Sequence, residues 1–197
     1  MNDVAVQTTE AEHHRQFVVR HVLAPICASL VVALAARVSF PIPFTPVPFT
    51  LQPLAVMGVG LALGPLDGAL AMVVYLMEGA LGAPVFSATG PGGLLQLLGP
   101  TGGFLFAYPA VAALCGGLTR FWQKRFSQFI AAFMACGVAT LLLFTMGAYW
   151  LGFEAHLSAK LTLAAAVIPF LPGELVKVFA AAGTYRALNG SRLTPGA

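Results

Sequence analysis

Phe170-Leu171-Pro172-Gly173-Glu174-Leu175-Val176-Lys177, running on into Val178-Phe179-Ala180-Ala181-Ala182-Gly183, sets a carboxylate and an ammonium three residues apart in an otherwise apolar stretch. What that pair means depends on the solvent of the helix that carries it. The chain has 197 residues, 58% of them hydrophobic and only 9% charged, against roughly 25% charged in a soluble domain. Its mean hydropathy is +0.86. The solvent is therefore lipid, where each charge near a helix centre costs roughly 2.5–3.5 kcal/mol. Charges kept at that cost face a cavity or a partner, so Glu174 and Lys177 mark the first place to look for function.

The net charge of +3 does not point to nucleic acid. The basic residues collect at the ends of apolar segments instead of forming one stripe. Cys27, Cys115 and Cys136 lie in apolar runs with no CxxC spacing and are expected to be small buried hydrophobes. The polar segment 1–16 has mixed charge and no small-residue cleavage signature follows it, so it is expected to be a cytosolic tail and not a removed signal peptide.

A bilayer core of ~30 Å needs about 20 helical residues. The apolar segments predict an all-α polytopic bundle over residues 17–189, with a cytosolic tail at 190–197. Six helices are expected: Phe17 to Phe40, Leu51 to Leu63, Leu66 to Leu81, Gly103 to Leu118, Phe126 to Leu151, and Leu161 to Leu188 with a break at Pro169 to Gly173. Several are short for a full crossing, which suits helices that start from loops lining a cavity. Arg15, Arg20, Arg120, Lys124, Arg125, Arg186 and Arg192 fall on one side, and Arg37 and Lys160 on the other. The excess of positive charge puts both termini in the cytosol.

Two elaborate connectors lie on the outer side. Pro41-Ile-Pro-Phe-Thr-Pro-Val-Pro-Phe-Thr50 is held extended by its prolines. Pro84-Val-Phe-Ser-Ala-Thr-Gly-Pro-Gly-Gly93 leads to Gln96 and then Gly99-Pro-Thr-Gly-Gly103. They suit a rigid lid, or equally membrane-interface loops. Pro172 is placed as the first helical residue, which puts Glu174 in the first turn, where its charge complements the helix dipole, and Lys177 on the same face. The pair could be a polar clamp in an apolar pocket or could simply neutralise itself within the helix. Glu78, Gln52 and Gln96 are further polar candidates, and Tyr75, Phe86, Tyr108, Tyr149 and Trp150 are aromatic ones. Ala24-xxx-Ala28, Ser29-xxx-Ala33 and Gly60-xxx-Gly64 permit close helix approach, as internal packing or as a docking face. There is no phosphate-binding P-loop, HExxH, GxSxG or Cys/His cluster, so no metal, cofactor or catalytic residue is expected. The chain is expected to be a binder or carrier, not an enzyme.

Three segments carry a resemblance: Pro46-Val-Pro-Phe-Thr-Leu-Gln52; Tyr75-Leu-Met-Glu-Gly-Ala-Leu-Gly-Ala-Pro-Val-Phe86 with Leu98-Gly-Pro-Thr-Gly-Gly-Phe-Leu105; and Pro169-Phe-Leu-Pro-Gly-Glu-Leu-Val-Lys177. In order and spacing they resemble the BioY family, the biotin-specific substrate-binding (S) components of energy-coupling factor transporters. The likeness runs from about Ala28 to Ala187.

The resemblance implies a six-helix S-component bundle in the bacterial inner membrane. Its biotin pocket would lie near the outer surface under the loops after the first and third helices. It implies biotin contacts at Lys177 and Glu174, with glutamate standing where the family commonly has aspartate. The other expected ligand residues are Glu78, Phe86, Gln52, Tyr75 and Tyr108. Expected partners are a transmembrane coupling subunit and two cytosolic ATPase subunits, docked through Ser29 and Ala33 at the position of the family's small-residue pattern. The alternatives are an S component for another vitamin, a solitary carrier without a dedicated ATPase module, or an intramembrane enzyme using Glu78 or Glu174 as base.

Overall fold

A computed structural model describes residues 18–190. The expected tails, with His13, His14, Arg15 and Arg192, lie outside the described residues apart from Gly190. Eight α-helices follow one another: α1 (Ala24–Arg37), α2 (Gln52–Leu63), α3 (Pro65–Ala80), α4 (Gly93–Leu98), α5 (Gly102–Trp122), α6 (Gln128–Glu154), α7 (Ala159–Ala166) and α8 (Leu171–Gly190). A π-helical turn, Val19–Leu23, leads into α1, and a 3-10 turn, Ile168–Phe170, joins α7 to α8. The all-α expectation needs one amendment. β1 (Ser39–Phe40) and β2 (Phe49–Thr50) pair antiparallel, with Ser39 opposite Thr50, and so clamp the two ends of the proline-rich loop.

Among the described residues four segments are long and apolar enough to cross a membrane: Val19–Arg37, Gly102–Trp122, Gln128–Glu154 and Ala159–Gly190. The helix α2 has 12 residues and α3 has 16, about 18 and 24 Å of rise. They turn directly into each other at Gly64, whose φ of 90° is open to glycine. The lipid-facing surface is legible on α1, where Pro25, Ala28, Ser29, Val32 and Ala36 are buried while Ile26, Leu30, Val31 and Leu34 are exposed. Cys115 and Cys136 are buried as expected, but Cys27 belongs to the exposed face.

The core lies between α2, α3, α5, α6 and α8 and includes Met57, Met72, Tyr75, Val111 and Ala139. Glycines set its closest approaches. A Cβ on Gly60 would lie 2.3 Å from the Ala112 carbonyl oxygen, and one on Gly103 would lie 2.3 Å from Trp150 Cβ. The expected break in the last helix falls slightly early, at Val167 to Phe170, and Gly173 is already helical. The short α4 was not expected. Its approach uses Gly92 and Gly93 at φ 71° and 60°, a backbone conformation that side-chain-bearing residues resist.

Candidate ligand-binding site

The two loop segments converge over the ends of α2, α5, α6 and α8. Beneath them is a partly enclosed cavity. Its wall is mostly apolar: Val47, Pro48 and Pro53 from the first loop and α2, Phe104 and Leu105 from α5, Leu143 and Phe144 from α6, and Phe170 from the 3-10 turn. Eight polar residues converge among them: Thr50, Gln52, Ser87, Gln96, Thr101, Tyr108, Glu174 and Lys177.

Glu174 and Lys177 form one unit. The Lys177 Nζ donates to Glu174 Oε1 at 2.5 Å, and each residue is only 4% exposed. The same ammonium sits 4.1 Å from the centroid of the Phe49 ring, a cation–π contact strengthened by the burial of Lys177. Phe49 reaches there because residue 173 has no side chain, as a Cβ at Gly173 would lie 2.2 Å from the ring. One ring thus ties the first loop to both Gly173 and Lys177. Glu174 Oε2 is buried with no hydrogen-bond partner among the described residues. The pair therefore does neutralise itself within the helix, as one reading of the sequence had it, and yet leaves an acceptor and further ammonium N–H donors at the cavity.

The loops are fastened as well as placed. Ser39 Oγ lies 2.7 Å from Ser87 Oγ and 3.0 Å from Thr89 Oγ1, which joins the first loop to the second. Thr45 Oγ1 donates to the Ala165 carbonyl at 2.7 Å and accepts from Val47 N–H. Arg37 donates to the Pro84 carbonyl at the rim.

Of the seven expected ligand residues, four line the cavity: Lys177, Glu174, Gln52 and Tyr108. Three do not. Tyr75 is wholly buried behind Gln52, accepting from its Nε2 at 2.5 Å and donating to the Val85 carbonyl. It positions Gln52 without reaching the cavity. Phe86 packs edge-on against Tyr75, with ring centroids 5.4 Å apart, and fills the space above Gly79, so it pins the second loop to α3. Glu78 turns toward α1, where Ser29 Oγ donates to its Oε1 at 3.1 Å.

That last bond also places Ser29, one of the two residues expected to dock a partner. Ser29 is fully buried and its side chain packs α1 on α3, while Ala33 is partly buried. The sequence reading missed Thr50, Ser87, Thr101, Phe104, Phe144 and Phe170 as cavity residues. Thr50, Thr101, Phe104 and Phe170 did carry a signal, since each lies in one of the three segments that bear the resemblance.

A helical membrane protein with a roofed, mostly apolar cavity and one buried ion pair beside it is built as a small-molecule binder. The chain belongs to the BioY family, whose sequence profile matches residues 7–193. It is 38% identical over 142 residues to the biotin transporter BioY of Thermotoga maritima, covering 72% of this chain and 80% of that one. It is 33% identical over 172 residues to the biotin transporter BioY of Rhizobium etli, covering 85% and 91%. The fold matches the crystal structure of the S-component for biotin from an ECF-type ABC transporter with a TM-score of 0.79, at 24% identity over 87% of this chain and 92% of that one.

Proposed function

We propose that this chain is the biotin-capturing S component of an energy-coupling factor transporter in the bacterial inner membrane. In this reading α1, the α2 and α3 hairpin, α5, α6 and the broken α7–α8 unit make six crossings. Both termini are cytosolic and the roofed cavity opens outward. A transmembrane coupling subunit and two cytosolic ATPases supply the energy, since the chain has no nucleotide-binding motif of its own. The relatives' shared name supports the ligand. The observation that carries it to this site is Glu174 Oε2, a buried acceptor without a partner beside a lysine with donors to spare.

Biotin has a ureido ring with two N–H donors and a carbonyl, an apolar thioether ring and a carboxylate tail. The ureido group matches the pair, with its N–H donating to Glu174 Oε2 and its carbonyl accepting from Lys177 Nζ. The reverse orientation would bring the tail carboxylate next to Glu174. Two like charges at 4 Å repel by about 4 kcal/mol at an effective dielectric of ~20. Gln52 and Tyr108 then lie along the walls, and Phe104, Phe144 and Phe170 face the thioether ring and the tail methylenes.

Calorimetric titration of the purified chain should show sub-micromolar binding of biotin and none of thiamin or riboflavin. Binding of either of those in place of biotin would sink this reading. Phe49→Ala should release biotin roughly tenfold faster, because it removes the cation–π contact and unpins the first loop from α8. Stopped-flow dissociation would measure that. An unchanged rate would mean that Phe49 does not hold the roof closed.

A further inference from the structure

A second cavity lies in the seam between the two roofing loops. It is lined by Pro46 and Pro48 on one bank and by Thr89, Pro91, Leu95 and Pro100 on the other. Pro48, Gln96 and Thr101 line both this seam and the deeper cavity, so the two spaces meet there. Gly90 keeps the seam open against Gln96, because a Cβ at that position would fall 2.6 Å from Gln96 Cδ. Neither cavity is lined by Arg or His, and the single lysine between them, Lys177, is bonded to Glu174.

With the ureido ring at Glu174 and Lys177, the tail of the ligand points along the cavity toward this junction. The carboxylate there meets prolines, threonine hydroxyls and the Gln96 amide, and no cation. A charged end gains no ion pair from such a lining, so neutralising it removes little. An amide in its place keeps a carbonyl and an N–H for the Thr and Gln groups. Its extension then has a preformed apolar channel.

We propose that the substrate class of this site includes biotin amides extended at the carboxyl, of which biotinyl-lysine is the simplest, with the extension lying in the seam between the two loops. The inference rests on the biotin-binding reading and on the inward placement of the ureido ring.

Competition binding on the full purified chain tests it, with free biotin, biotinyl-lysine and a biotin amide of a longer diamine as probes. Both amides should bind within about tenfold of free biotin. Leu95→Trp, which narrows the seam without touching the deeper cavity or the Ser39, Ser87 and Thr89 hydroxyl cluster, should weaken the amides at least tenfold more than free biotin. Retained biotin binding shows that this variant is folded. The inference is overturned if the wild type binds the amides more than tenfold weaker than biotin. It is also overturned if Leu95→Trp fails to weaken the amides selectively, since the extension would then leave by another route. Absence of binding by free biotin itself would overturn the underlying reading, and is distinguishable because all probes would fail together.

Discussion

Replacing Lys177 with alanine should lower the affinity for biotin by at least about 2 kcal/mol, some thirtyfold, as loss of a charge-assisted contact does. Two effects add. The ureido carbonyl loses its donor, and Glu174, 4% exposed, is left with no partner for either oxygen. Removing one member of a buried ion pair typically destabilises by about 3–5 kcal/mol, because the remaining charge is uncompensated. The variant should therefore also melt at a lower temperature. Glu174→Gln separates the two effects: it keeps the size and removes the charge, leaving Lys177 over Phe49, so affinity should fall with a smaller loss of stability. Titration calorimetry and thermal melts of the detergent-solubilised proteins measure both quantities. A well-folded Lys177→Ala protein with unchanged affinity would remove the ion pair from the site.

The ion pair was legible in the sequence because lipid makes charges expensive, so two of them inside an oily helix point to a cavity. The roofing loops were legible because their prolines allow neither helix nor regular sheet. The features that escaped are those set by helix rotation and by contacts distant along the chain. Whether Glu78 faces the cavity or α1 depends on how α3 is turned, and Ser29 lies 49 positions away. Tyr75 and Phe86 belonged to the right motif, yet they form the support behind Gln52 and Val85 and not the wall itself. The small-residue pattern at Ser29 and Ala33 gave no means of telling internal packing from docking. The short α4, with 6 residues, is shorter than any helical periodicity that could have revealed it.

One helix crossing depends on glycine because backbone meets backbone there. At Gly60 the backbone of α2 meets α5 so closely that a Cβ would stand 2.3 Å from the Ala112 carbonyl oxygen, and a Cβ on Gly116 would stand 2.5 Å from the Gly60 carbonyl oxygen. Gly68 of α3 approaches the same point, its Cβ position 3.1 Å from Gly60 Cα. Three helices thus touch main chain to main chain, as small residues permit in membranes, where packing and not hydrophobic exclusion holds helices together. Backbone cannot rotate aside as a side chain can, so Gly60→Ala should force α2 away from α5 and cost at least about 3 kcal/mol. Gly58, one half-turn away, has nothing within 4 Å of its Cβ position. Gly58→Ala should therefore leave the melting temperature unchanged or raise it through helix propensity, by up to about 1 kcal/mol. The contrast between two alanines in one helix isolates the contact from propensity, and thermal melts with size-exclusion profiles in detergent would read it. Equal losses at both positions would mean that the helix, and not the crossing, is what glycine serves. Because Gln52 opens the same helix at the cavity wall, a displaced α2 should also carry Gln52 off Tyr75, so Gly60→Ala should weaken biotin binding in whatever fraction still folds.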